Sequence, residues 1–120
     1  MKNQDKITIF RSMPEPQNTT EITLSVLLAA AAKRFQPGKL VCTSLVKDTF
    51  SMGWVTKCYC RHLVGDWGDL DNEDLEANES ALQQKGRLLS HYIHSDTKER
   101  IYIITEHDRS VTTILLPMEY

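Results

Sequence analysis

Arg87-Leu88-Leu89-Ser90-His91-Tyr92-Ile93-His94, Arg100-Ile101-Tyr102-Ile103-Ile104-Thr105 and Val111-Thr112-Thr113-Ile114-Leu115-Leu116 are three runs dense in β-branched and aromatic residues. Ser95-Asp96-Thr97-Lys98-Glu99 joins the first to the second, and Glu106-His107-Asp108-Arg109-Ser110 joins the second to the third. A parallel crossover needs about a dozen residues, so connections this short make neighbouring strands antiparallel. The C-terminal third therefore predicts a three-stranded meander. Side chains alternate along a strand, which places Ile101 and Ile103 on one face of the middle run and Tyr102 and Ile104 on the other. Both faces are apolar, so this strand should be covered on both sides.

Working outward, Asp71 or Asn72 can cap a helix over Glu73 to Gln84, with Gly86 as its stop. Upstream, Val55, Cys58, Tyr59, His62 and Leu63 keep helical spacing up to Gly65, and a short helix from about Leu45 is expected to end near Gly53. Lys39 to Thr43 reads as a strand. Asn18 followed by Glu21 resembles a helix-capping pair, after which Leu24, Leu27, Leu28, Ala31, Ala32 and Phe35 form the apolar stripe of an amphipathic helix ending before Pro37-Gly38. Lys6-Ile7-Thr8-Ile9-Phe10 reads as a short strand, stopped by Met13-Pro14-Glu15-Pro16 because proline cannot donate to a ladder. The expectation is an α+β fold: three or four short helices packed on an antiparallel sheet that ends in the meander. With 120 residues, a single domain over residues 1–120 is the economical reading.

Composition narrows the class. Hydrophobic residues make up 41% and charged residues 25%, values typical of folded domains and remote from disorder. A formal net charge of −2 gives no global attraction to nucleic acid or to an anionic membrane, which argues against direct nucleic-acid binding. The cysteines Cys42, Cys58 and Cys60 are an odd set, whereas disulfide-stapled secreted domains carry even and denser ones. The longest apolar run, Val26 to Ala32, is seven residues against the roughly 20 needed to span a bilayer. Asp5, Glu15 and Glu21 precede it and spoil a signal peptide. A cytoplasmic protein without membrane contact is expected, with its oligomeric state open.

Gln36-Pro37-Gly38-Lys39-Leu40-Val41, Arg61-His62-Leu63-Val64-Gly65-Asp66-Trp67-Gly68-Asp69-Leu70, Asn78-Glu79, Gly86-Arg87-Leu88-Leu89-Ser90-His91-Tyr92 and the stretch from Ile103 to Tyr120 together resemble a family of small bacterial plasmid-related proteins. Some of its members carry the label "type I restriction endonuclease subunit M". The resemblance covers residues 36–120, and residues 1–35 read as a strand-helix extension outside the usual pattern. It implies a mobile-element context, in which regulation of host defence, or protection against it, is common. The label itself fails on chemistry: a DNA methyltransferase needs a doubly wound domain, a glycine-rich cofactor loop and a pocket for the flipped base. Gly38, Gly53, Gly65, Gly68 and Gly86 never form a G-x-G pair, and no Asn/Asp-Pro-Pro-aromatic segment occurs.

The candidate sites are three. Cys58-Tyr59-Cys60-Arg61-His62 has zinc-type ligands, but Cys58 and Cys60 point about 200° apart on a helix, so buried thiols fit better than a metal. His91 and His94 have opposite strand parity and cannot chelate together. No cofactor motif is present. His62, Glu106 and Arg109, with Asp66 and Asp108 nearby in sequence, would make a small hydrolase or transferase if helix end and hairpin tip met. The same hairpin residues equally read as turn chemistry, with Asp supporting a tight bend and Arg pairing a nearby acid.

The third candidate is charge. Asp66, Asp69, Asp71, Glu73, Asp74, Glu76 and Glu79 fall in one segment with no Lys or Arg between Arg61 and Lys85. Such a face suits a basic protein surface or mimics a phosphate array, and it is also what a solvated, dipole-favoured helix start looks like. Trp67 is either a lid on the core or an interface anchor. The reading that combines these is a non-enzymatic accessory or binding protein of mobile-element origin. It would act on a host or mobile-element protein through Asp66, Trp67, Asp69, Asp71, Glu73, Asp74 and Glu76, in a regulatory or anti-defence role.

Overall fold

The computed structural model describes residues 3–120; the first two positions of the N-terminal extension lie outside the described residues. The fold is α+β, with five α-helices and a four-stranded mixed sheet among the described residues. In chain order these are α1 (Asn3–Ser12), α2 (Thr19–Ala32), β1 (Lys39–Cys42), α3 (Ser44–Thr49), α4 (Met52–Leu63), α5 (Asn72–Gln84), β2 (Leu88–Ile93), β3 (Arg100–Thr105) and β4 (Val111–Leu115). A single 3-10 turn, Pro117–Glu119, closes the chain. The residues divide into two compact units, each assembled from separated stretches. One comprises the chain up to Arg34 together with Phe50–Asp66, and the other comprises Phe35–Thr49 together with Trp67–Tyr120.

The helical unit packs α1 and α2 against α4. Residues 6–10, expected as a strand, are the centre of α1. Phe10 is buried in the unit and Arg11, one residue on, donates to Asp66, so tertiary packing outweighs the β-leaning local composition. The predicted cap of α2 forms: Asn18 Oδ1 accepts from the Glu21 backbone N–H at 2.9 Å, and the Glu21 carboxylate accepts from Gln17 N–H and from Asn18 Nδ2. The helix then turns the other way round from its expected stripe. Ala29 is fully buried with Ser25 and Val26 half-buried beside it, while Leu24, Leu27 and Leu28 are 56–63% exposed. The helix is apolar nearly all round, so periodicity alone cannot choose its inner face; the small Ala29 side chain allows the close approach to α4. Gly53 does not end a helix. It lies in the first turn of α4, where a Cβ would come within 2.2 Å of the Pro16 carbonyl oxygen, and Ser51 caps that turn by accepting from Trp54 N–H at 3.2 Å.

In the sheet unit the strand order is β1-β4-β3-β2. The meander has the predicted antiparallel registers, Ser90 opposite Ile103 and Ile103 opposite Ile114. Leu88, Ser90, Tyr92, Ile101, Ile103, Thr105, Thr112 and Ile114 share one face, and all are buried. Ile104 is also buried and Tyr102 half-buried on the other face, as the apolar alternation of β3 predicts. The expected all-antiparallel sheet needs one correction, because β1 pairs parallel with β4, Lys39 opposite Val111. The long chain between them supplies the crossover length that a parallel pair requires. Gly38 makes the entry possible: its φ is +68°, and a Cβ there would lie 2.4 Å from the Arg109 carbonyl oxygen. Thr112 Oγ1 donates to the Pro37 carbonyl oxygen at 2.6 Å. Its single proton is thereby used, so in the buried 2.7 Å contact with Thr105 Oγ1 it is Thr105 that donates.

Candidate functional site

The acidic segment is organised by α5. Asp71 caps the helix, its Oδ1 accepting from Asp74 N–H at 2.8 Å, which places Glu73 and Asp74 at the positive end of the helix dipole. The helix ends at Gln84 as expected, Lys85 taking the left-handed conformation (φ 56°) just before Gly86. Its inner side carries Asn78 and Ala81. The Asn78 amide bonds both backbone groups of Leu89, Nδ2 to the carbonyl at 2.7 Å and Oδ1 from the N–H at 3.1 Å. Beyond it, His91 N–H donates to Trp67 O at 3.1 Å and His91 O accepts from Asp69 N–H at 2.7 Å. The outer edge of β2 is thus closed at Leu89 and His91 by side chain and loop, and α5 is held against it.

That attachment leaves Asp69, Asp71, Glu73, Asp74 and Glu76 exposed. Glu79 is exposed too, but its carboxylate is engaged, accepting from Trp67 Nε1 at 2.9 Å. Trp67 itself is 3% exposed, in a core cluster with Ala81 and Leu88, and stacks on Phe35 at 6.2 Å between ring centroids. Of the two readings the sequence leaves for Trp67, the structure realises the core one. Beside the acidic face, α5 and the sheet border an open pocket of about 220 Å³. Leu70, Ala77, Leu89 and Ile104 supply its apolar wall, while Asp74, Arg87 and Tyr120 supply polar groups. Arg87 is held there by Tyr120, with Nη1 2.6 Å from the phenol oxygen and the guanidinium 5.1 Å from the ring centroid, and its Nε lies 3.5 Å from the Glu106 carboxylate.

Asp66 belongs to the helical unit and is withdrawn from solvent. Arg11 grips it with two bonds, Nε to Oδ2 at 3.0 Å and Nη2 to Oδ1 at 2.8 Å, and Arg61 Nε reaches Oδ2 at 2.7 Å. Burial pushes its carboxyl up, but the hydrogen bonds and charges of Arg11 and Arg61 together outweigh that and hold it below the usual carboxylate range. Asp66 therefore ties α1 to the end of α4 rather than offering charge to a partner. Arg11 is absent from the sequence-based site, since nothing local marks a residue whose partner is 55 positions away.

His62 is fully buried in α4 of the helical unit. Glu106 and Arg109 lie in the β3–β4 hairpin, where Asp108 Oδ1 accepts from Ser110 N–H and Arg109 sits at φ 62°. Arg109 does not pair an acid as turn chemistry suggests. Its guanidinium donates to three carbonyl oxygens, those of Gly86 at 2.6 Å, Glu106 at 3.0 Å and Ala81 at 3.1 Å, and so closes the C-terminal end of α5. Cys58 and Cys60 are buried, and burial pushes the Cys60 thiol up to about 12 and the Cys58 thiol higher still, so both are protonated. Among the described residues no group of three or more His, Cys, Asp or Glu is placed to hold a metal ion, and no helix is long and apolar enough to cross a membrane. Comparison with protein-family models, with curated proteins and with solved structures finds no match.

Proposed function

We propose that this chain is a non-enzymatic accessory protein that binds a basic surface of another protein through the exposed acids of α5 and the loop before it. The observation that carries this reading is the combination of Glu73, Asp74 and Glu76, all exposed on a helix without a Lys or Arg, with a pocket in which Asp74 borders an apolar wall. A partner fitting this arrangement presents Lys or Arg around one apolar side chain. The charges speed encounter and set register, and the apolar insertion slows release. The motif resemblance to plasmid-related proteins supports a role on a mobile element, with a host or element protein as target and a regulatory or anti-defence effect. Asp66 and Trp67 take no part in this contact, since both are buried; Asp69, Asp71, Glu73, Asp74 and Glu76 form it.

The test is affinity capture from the native host with the wild-type chain and with the combined Glu73→Gln, Asp74→Asn, Glu76→Gln variant. These changes preserve shape and touch exposed positions, so the variant should fold. The reading expects a basic protein that the wild type retains and the folded variant loses. Equal retention of the same protein by both chains would overturn it.

A further inference from the structure

We infer that the outer edge of β1 pairs antiparallel with β1 of a second copy of this chain, across a two-fold axis at Val41, so that the two sheets run on as one. The sheet has two edges, and the fold treats them differently. The β2 edge is closed at Leu89 and His91 by Asn78 and the loop at residues 67–69, whereas β1 has β4 on one side and no strand on the other. The Lys39 and Thr43 N–H groups donate to the Ser110 and Ile114 carbonyl oxygens at 3.0 and 3.1 Å, so by strand alternation Lys39, Val41 and Thr43 turn their backbone groups towards β4. The N–H and C=O of Leu40 and Cys42 then point away from the sheet, and an open row of such groups is a template for another strand. The Leu40 and Val41 side chains beside them are 46% and 37% exposed.

The occupant follows from register and charge. An antiparallel pair satisfies its backbone only where residues with outward groups stand opposite each other. Pairing Leu40 with Leu40 would put Gly38, at φ +68°, opposite Cys42, and pairing Cys42 with Cys42 would put Leu40 opposite Ser44, the first residue of α3. Only Leu40 opposite Cys42 of the other copy pairs all of these groups within the two strands. Val41 then faces itself on the axis as a β-branched pair, and Lys39 faces Thr43 of the other copy. Thr43 Oγ1 donates to the Glu119 carboxylate at 2.9 Å, and the same carboxylate oxygen accepts from Leu116 N–H. Among the described residues neither Glu119 nor Lys39 has an ion-pair partner of opposite charge. Alternation puts the Lys39 and Thr43 side chains on one face, so the two-fold axis brings each Lys39 ammonium to the Glu119 carboxylate of the other copy. A lysine on an edge strand ordinarily keeps other strands away. Here a second copy brings the counter-charge at the required register, which an arbitrary strand does not. The contact is small, so the dimer is a reversible one that forms as concentration rises.

Cross-linking and charge exchange test this. In a Cys42→Ser chain, Val41→Cys should give a disulfide-linked dimer under mild oxidation, because opposed residues of a non-hydrogen-bonded pair lie about 4.5 Å apart at Cα. Leu40→Cys in the same chain should not, because its counterpart stands two residues along the other strand, beyond the reach of about 7 Å. In sedimentation equilibrium the wild-type chain should show a monomer–dimer equilibrium, which Lys39→Glu and Glu119→Lys should each weaken at least about tenfold by opposing like charges. An equal mixture of these two variants should recover the association, since each contact then joins opposite charges again. Circular dichroism should show the variants folded, since positions 39, 40, 41 and 119 are exposed. A wild-type chain that stays monomeric up to about 1 mM, equal cross-linking at positions 40 and 41, or a mixture no more associated than its parts would each overturn the inference.

Discussion

Asp66 shows how a single side chain changes role between sequence and structure. Read along the chain it is one of seven acids in a charged segment; in the fold its side chain is 1% exposed and held by two guanidiniums. Removing its charge leaves Arg11 and Arg61 facing each other; because Arg11 is 59% exposed and solvent screens part of the loss, a cost of about 1–3 kcal/mol is expected. Because its folded carboxyl titrates below the ordinary 3.8, Asp66 contributes stability that is present above that value and lost as pH falls through the folded one. Thermal unfolding of the wild type and of Asp66→Asn should therefore differ most near neutral pH, with the gap narrowing as acidification goes past the ordinary carboxylate value of 3.8. A gap that does not narrow at all on acidification would contradict the role assigned to the ion pair. Asn78 is a quieter case: it occupies an inward position between Leu75 and Ala81 where the helical pattern asks for an apolar residue. That mismatch is a legible sign of a polar group with internal work, although its partner, the backbone of Leu89, is not legible.

At the scale of elements, the meander was the most readable part because its signals are local. Run length, alternation and connection length together leave one arrangement, and registers such as Ser90 opposite Ile103 follow. Ile103 is fully buried at the centre of that sheet, so Ile103→Ala should destabilise the chain by roughly 2–5 kcal/mol. A denaturant midpoint that barely moves would contradict the placement of this strand. Elsewhere the decisive contacts are remote in sequence. The β-rich run at residues 6–10 becomes helix α1 because Phe10 and Arg11 find partners in the helical unit, and α2 hides Ala29 rather than its leucines because both of its sides are apolar. The parallel placement of β1 depends on the Pro37-Gly38 turn bonding to Thr112, across 75 residues. Caps are legible where the side chain bonds its own helix start, as at Asn18 and Asp71. The α5 end at Gln84, just before Gly86, is equally local, whereas Gly53 opens a helix instead of ending one because Ser51 caps there.

For the whole molecule, the two units are interleaved along the chain, each needing two separate stretches to complete its core. The chain passes between them at residues 34–35, 49–50 and 66–67, so neither is a contiguous piece that could be excised. Calorimetric unfolding is expected to be one transition with equal calorimetric and van't Hoff enthalpies, as for small single domains; two resolved transitions would contradict this. The acidic segment was legible as a charge pattern, but which acids it presents was not. Folding assigns Asp66, Glu79 and Trp67 to internal bonds and leaves the start of α5 and its preceding loop to solvent. In the proposed function these remaining charges steer association with a basic protein. This steering is tested most directly by the association rate of the captured partner, measured against salt concentration for the wild type and for the Glu73→Gln, Asp74→Asn, Glu76→Gln variant. The wild-type rate should fall steeply with salt, and the folded variant should associate at least about tenfold more slowly at low salt with a flattened dependence. Identical rates and identical salt slopes for the two chains would contradict it.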